Sequence, residues 1–468
     1  PRVNVSDSER GQDKGTRASM RLIGRPKASR PAQSDSVEGR DDGAQADSSA
    51  PSAGQDVVIG GGVGSDGAVG PHGPGDTCDT AAWSPGTPVF KEVTMDWGLE
   101  GVSGAAFSVA DYDGDGWPDL FIRAGSGEKD YAPGTWLLRN TGNKSFEDVT
   151  ESSGILATRQ EGGDSPWRGA YVAAWGDVNN DGHLDVFTAS GNPPGWSGET
   201  PEMMLGNGDG TFSLGPEAGM ARRAGLLNSP NGASFTDFDR DGNLDLFVVH
   251  HDQVDENGYP HPVADHLYQG DGQGLATDVN NQVGLITQPW GVLAQLNGGE
   301  GHSWAWSAVA CDLNNDGTPE LLAASYGRAP NTLWQGFRQG DGSVTYLNRS
   351  VASGYGYDHR EDWTDNWSAR CHCQDFPEDD ECDLTEPIDP GVCQGLKNSF
   401  GGQYRWSHPG DREPWRLGGN SGTTLCVDLN NDGHLDLFTN EIVHADVGQS
   451  SDPSEVMVNT GEANVRFE

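Results

Sequence analysis

The sequence predicts an all-β fold, a β-propeller of four-stranded blades, and three observations carry that expectation. A nine-residue acidic segment recurs five times, short apolar runs follow the copies, and no apolar pattern of helical period is sustained past Cys78. A chain of 468 residues has room for two or three domains or for one large β-architecture.

The five copies run Asp111 to Asp119, Asp177 to Asp185, Asp237 to Asp245, Asp312 to Glu320 and Asp428 to Asp436. The first four begin about 60 to 75 residues apart, the spacing of a four-stranded blade with variable loops. The last interval is longer and holds an insertion. Runs such as Asp119-Leu-Phe-Ile, Asp185-Val-Phe-Thr, Asp245-Leu-Phe-Val-Val and Asp436-Leu-Phe-Thr read as short strands bounded by turn residues. A trailing half, clearest at Leu137-Leu-Arg-Asn-Thr-Gly-Asn-Lys-Ser-Phe-Glu-Asp-Val-Thr, reads as a second hairpin, so each unit is one blade.

Positions one, three, five and nine of each copy carry oxygen donors. They are Asp111, Asp113, Asp115 and Asp119; Asp177, Asn179, Asp181 and Asp185; Asp237, Asp239, Asp241 and Asp245; Asp312, Asn314, Asp316 and Glu320; and Asp428, Asn430, Asp432 and Asp436. The sixth residue is always Gly, which permits a tight turn. The seventh varies (Trp117, His183, Asn243, Thr318, His434), as expected where only a backbone carbonyl is used. Alternate carboxylates fold round one hard cation, and Ca²⁺ takes about six to eight oxygens where Mg²⁺ demands a small octahedron. Asp-Gly alone would be a hairpin turn, but five copies in phase point to about five structural calcium ions. They are not helix-loop-helix sites, because position twelve holds residues such as Ile122 and Thr188 in place of Glu.

At these residues the chain resembles the FG-GAP or VCBS repeats of integrin-α-like propellers, with Gly104-Ala-Ala-Phe-Ser-Val-Ala-Asp-Tyr-Asp-Gly-Asp-Gly-Trp-Pro-Asp-Leu a close match. Phe146-Glu-Asp-Val-Thr with Gly154-Ile155 is similar to the repeat region of ASPIC/UnbV-type proteins. The resemblance covers roughly residues 88–352 and 421–468. It implies calcium loops that join strands within a blade, and rings of this kind commonly have seven blades. Two further blades are therefore expected, within the insertion or from elsewhere.

The domain plan is a low-complexity arm over residues 1–77, blades over 78–352, a Cys- and Trp-rich insertion over 353–420, and a further blade begun in 421–468. The arm lacks aromatic side chains and alone should be disordered. The chain opens at Pro1 without an apolar leader and reads as a processed chain or a fragment. Residues Val456 to Glu468 match Leu137 to Glu147, so the chain is expected to stop inside its fifth blade. Phe90-Lys-Glu-Val-Thr94 with Gly98-Leu99 is expected to complete the last blade. The arm is expected to lie on a neighbouring copy, giving self-association, unless a C-terminal chain supplies the missing strands.

Of seven Cys, Cys371, Cys373, Cys382 and Cys393 sit in the insertion amid Asp and Pro and are expected to form two disulfides in a secreted or cell-surface chain. Cys426 reads as a buried core thiol, and Cys311 lies on the opposite face of its strand and could pair with Cys78. His250, His251, His261 and His266 read as a polar loop between strands.

The formal charge of -42 falls wholly beyond residue 50. It excludes nucleic acid and anionic membrane surfaces as partners, which need clustered Lys and Arg. Five Ca²⁺ would offset ten of those charges. No run approaches the ~18 apolar residues of a membrane span. His-Glu-x-x-His, Gly-x-Ser-x-Gly and phosphate-loop patterns are absent. The sequence thus favours a non-enzymatic adhesion or assembly module for protein or glycan partners. A glycan-active enzyme similar to propeller-type polysaccharide lyases is the alternative, with Trp363, Trp367, Trp406, Trp415, Arg405 and Arg412 as a carbohydrate platform or as the insertion's own core.

Overall fold

A computed structural model of the chain describes residues 90–104, 106–123, 135–159, 172–189, 201–216, 228–254, 260–326, 329–357, 362–399, 401–404, 406, 421–442 and 453–468. The arm, Cys78, Arg405, Arg412 and Trp415 lie outside the described residues.

Five antiparallel sheets follow one another along the chain. Blade 1 is β1 (Ala106–Ala110), β2 (Asp119–Arg123), β3 (Thr135–Asn140) and β4 (Phe146–Asp148), paired in that order. Blade 2 repeats the plan with β5 (Val172–Gly176), β6 (Asp185–Ala189), β7 (Glu202–Gly206) and β8 (Phe212–Leu214). Blade 3 has β9 (Asn228–Thr236), β10 (Asp245–Val254), β12 (His266–Gly270) and β13 (Ala276–Asp278), with the short β11 (Pro260–His261) added on β10. Blade 4 is β14 (Trp304–Cys311), β15 (Glu320–Tyr326), β16 (Thr332–Arg338) and β17 (Val344–Asn348). Blade 5 is β18 (Ser421–Val427), β19 (Asp436–Glu441) and β20 (Glu455–Met457), after which residues 458–468 turn back and bridge Asn459 to Phe467.

Alternating side chains give each sheet two faces, and successive blades bury facing sides against each other. Phe121 and Leu137 of blade 1 pack with Trp175 and Met204 of blade 2, and Trp175 Nε1 donates to Ser108 Oγ at 2.9 Å. Phe247 and Leu267 of blade 3 meet Leu321 and Trp334 of blade 4. Leu322 and Leu333 of blade 4 meet Leu437 and Phe467 of blade 5. Each fully buried Leu or Phe contributes about 1.5–3 kcal/mol. At the two ends of this series, apolar side chains face solvent: Phe107 and Val109 on blade 1, and Leu425, Val427, Phe438 and Val456 on blade 5.

Several expectations change. The described residues form five blades, and the insertion expected to hide others is helical where described. It carries α4 (Trp367–Asp375) and α5 (Pro390–Ser399), which join the short α1 (Asn280–Val283), α2 (Leu293–Asn297) and α3 (Ser350–Ser353) of the inter-blade connections. Segment 90–99 makes turns in place of a strand and lies on blade 1, where Trp97 O accepts from Phe146 N at 3.0 Å. Cys311 and Cys426 form a disulfide, so Cys426 is not a core thiol and Cys311 is not available to Cys78. The reason is that the first strands of blades 4 and 5 run side by side and bring both residues together at their loop ends. No described helix is long and apolar enough to cross a membrane.

Candidate metal centre

Each acidic segment joins the first and second strands of its blade, because the first strand ends just before position one and the ninth residue opens the second. The ninth carboxylate is buried at this junction and ties the loop after the first strand to the second strand and to the end of the third. In blade 2, Asp185 Oδ2 accepts from Val178 N at 2.8 Å and Oδ1 from Gly206 N at 2.8 Å. Asp119, Asp245 and Asp436 repeat both bonds, to Tyr112 and Asn140, to Phe238 and Gly270, and to Leu429 and Asn459.

The loop itself is wound by the other donors. Asp111, Asp177, Asp237, Asp312 and Asp428 each accept from the sixth-position Gly N–H at 2.8–3.1 Å. The fifth-position Asp accepts from the seventh N–H in all five loops. Such winding gathers oxygens. One oxygen each from Asp111, Asp113 and Asp115, and from Asp237, Asp239 and Asp245, lie within 4.8 Å of one another. In loops 2, 4 and 5 the third position is Asn, whose Nδ2 donates to the fifth-position Asp at 2.8–3.1 Å.

Electrostatics show what these clusters lack. Burial pushes Asp245 and Glu320 up to about 8, Asp119 to about 7 and Asp185 to about 6, and neighbouring loop carboxylates add to the rise. Two like charges 4 Å apart repel by about 4 kcal/mol at an effective dielectric of 20. Asp111 Oδ1 and Glu320 Oε1 are buried without a hydrogen-bond partner. Unpartnered buried carboxylate oxygens beside further carboxylates are the donor set a hard divalent cation fits.

Loop 1 differs from the rest. Arg139 on β3 reaches Asp113 at 2.5 Å and Asp115 at 2.8 Å, so a guanidinium neutralises part of its charge. The corresponding residues in blades 2 and 3 are Leu205 and Gln269, and Gln269 donates to Asp239 at 2.5 Å.

The sequence missed two classes of residue. At position seven, Trp117, His183, Asn243 and His434 cover Gly142, Gly208, Gly272 and Gly461 of the trailing hairpins so closely that a Cβ there would collide with them. At position four, Asn180, Arg240, Asn315 and Asn431 have positive φ of 57–62°, and Gly114 has 69°. The Gly/Asn bias at that position was the available signal.

Other candidates resolve into structure. His250 and His251 lie in β10 and His266 in β12, so they are not a polar loop. His250 is buried, its pKa pulled down to about 3 by burial, and its backbone N–H donates to Asp265 Oδ1 at 3.0 Å. His266 Nδ1 pairs with Asp278 at 2.8 Å. In the insertion, Cys371–Cys393 and Cys373–Cys382 are disulfides. Contrary to a stretch without an apolar core, Leu396 and the Cys371–Cys393 pair bury with Trp367, Ile388 and Tyr404 around them. Trp406 is buried against Trp363, with ring centroids 5.2 Å apart, which suits a small core more than an open platform.

The FG-GAP-like repeat family matches residues 177–248, and the FG-GAP repeat family matches residues 103–134. No curated protein matches the chain by sequence. Among solved structures, an Agrocybe aegerita lectin described for specific recognition of non-reducing terminal N-acetylglucosamine is 16% identical, with a TM-score of 0.32 over 77% of this chain and 64% of its own. The V. cholerae biofilm matrix protein Bap1 is 15% identical, with a TM-score of 0.30 over 77% of this chain and 38% of its own. Neither likeness is close enough to bear on what this chain binds. Repeat matches, blade topology and loop geometry coincide: the described residues form a β-propeller of five blades that carries FG-GAP-type repeats at residues 103–134 and 177–248.

Proposed function

We propose that each of the five loops holds one calcium ion, and that the propeller so stabilised is a secreted or cell-surface adhesion and assembly module for protein or glycan partners. Side-chain oxygens of positions one, three, five and nine and the seventh carbonyl would hold the ion. The ion supplies charge neutralisation, while the chain supplies the wound loop and the buried ninth carboxylate.

The observation that carries this proposal is the repetition of one donor arrangement at five equivalent strand junctions, with buried oxygens of Asp111 and Glu320 lacking any protein donor. Catalysis would use one centre beside unique residues, and these centres are alike. Three disulfides suit an oxidising compartment. Metal analysis after exchange into calcium should find about five ions per chain. A screen of glycans and protein partners should then give binding that chelator abolishes. A metal-free chain, or partner binding indifferent to chelator, would overturn the proposal. Residues 1–77 are further proposed to dock on a neighbouring copy, and light scattering before and after their deletion tests that.

A further inference from the structure

Hydrogen bonds from the fourth residue of one loop reach the next loop in three successive blades. Asn180 Nδ2 of loop 2 donates to Asn243 Oδ1 of loop 3 at 3.0 Å. Arg240 of loop 3 donates through Nε to Gly317 O at 2.6 Å and through Nη2 to Asp316 O at 2.7 Å in loop 4. Asn315 Nδ2 of loop 4 donates to Gly433 O at 2.9 Å and meets His434 Nδ1 at 3.2 Å in loop 5. Loop 1 has Gly114 at this position and so has no side chain to send.

We propose that Asn180, Arg240 and Asn315 couple the cation occupancy of loops 2 to 5 into one array, from which loop 1 is excluded by Gly114; this rests on the calcium reading of the loops. The fourth residue sits at the left-handed tip between the third and fifth donors, so closing a loop round an ion fixes its direction. Its side chain then holds residues five to seven of the next loop, the turn that aims the seventh carbonyl inward. An ion in one loop thereby meets part of the ordering cost of its neighbour. Linkage makes the effect reciprocal. Arg240 is the strongest link, with two charge-assisted bonds, and Arg338 of β16 adds bonds to Phe238 O and Asp239 O at 3.0 Å.

Native mass spectrometry of the full chain at sub-saturating calcium tests the coupling. The wild type should show few species with two or three ions, and mostly chains with none or one, or with four or five. The variant Asn180→Gly/Arg240→Gly/Asn315→Gly keeps the left-handed backbone, because Gly accepts that φ freely. It should bind the same number of ions with a binomial distribution and at least about fivefold weaker apparent affinity. Should that variant lose its β circular dichroism in saturating calcium, Arg240→Gly alone serves, and should shorten the co-occupied run. A binomial distribution in the wild type, or a wild-type pattern in folded variants, overturns the coupling while leaving the calcium reading intact. No ion at any calcium concentration sinks both.

Discussion

The acidic loops and the insertion meet one difficulty in opposite ways. Both are polar segments with too little apolar surface to order themselves. The insertion closes on itself with Cys371–Cys393, Cys373–Cys382 and a few buried side chains, and adds Lys397 to Asp375 at 2.5 Å and an Asn366 cap on Ala369 N. Loops 1 to 3 have no covalent staple, loops 4 and 5 share only the Cys311–Cys426 bridge of the strands that lead into them, and all five gather like charges, so on the calcium proposal an ion completes their order. On that proposal one device answers to redox conditions and the other to ion supply.

Excess chelator should therefore produce the largest effect, lowering the melting temperature by roughly 10 °C or more, since several sites are emptied together. Reductant, which opens Cys311–Cys426 between blades 4 and 5 as well as the two bridges of the insertion, should lower that transition by less. Calorimetry in the four combinations of chelator and reductant checks this, and a melting curve indifferent to chelator breaks the contrast.

Acid should act next, and differently in the two ionic conditions. The raised carboxylates of Asp119, Asp185, Asp245 and Glu320 favour a protonated fold when no cation is present. Their contribution is complete below the unfolded value near 4 and is lost as pH rises toward about 8. Chelated protein should thus gain several degrees between pH 8 and pH 5. Calcium-loaded protein should gain nothing over that window, because protons and cations compete. Melting curves at both pH values decide it.

Replacing Cys371 and Cys393 together with Ser should cost the insertion about 3 kcal/mol by freeing a loop of about 20 residues. Limited proteolysis should then cut within 371–393 while the main melting transition stays in place. A large shift of that transition would show the two regions to be one cooperative unit.

The smallest effect belongs to Arg139. Arg139→Gln should destabilise the chelated chain by no more than about 1 kcal/mol, since the pair is partly exposed. It should also tighten cation binding in loop 1 severalfold by freeing Asp113 and Asp115. Calcium titration calorimetry reads both signs, and weaker binding would make Arg139 a support of the site instead of a rival.

Blade boundaries were legible because the ninth carboxylate both closes the turn and opens the second strand, so chemistry and topology share a signal. The donors of all five loops occupy equivalent junctions for the same reason. The five described blades match the five repeats one for one, and the expectation of two more came from the resemblance to seven-bladed rings and not from any repeat. The Cys311–Cys426 bridge escaped because facing was counted within single strands, whereas the bond joins two blades whose loop ends converge. Helices in the insertion escaped because the disulfides and a handful of side chains bury them, leaving little apolar period to detect.

The exposed ends of the series have a statistical consequence. Each blade is held by the neighbours before and after it, so cohesion is close to that of a one-dimensional Ising chain. Among the described residues, blades 2 to 4 are bordered on both sides, whereas blades 1 and 5, with Phe107 and Val109 or Leu425 and Val427 turned to solvent, are bordered on one. Amide exchange should accordingly run as a gradient, slowest at Phe247 and Leu321 and fastest at the outer sheets, with fraying from the ends preceding any opening at the centre.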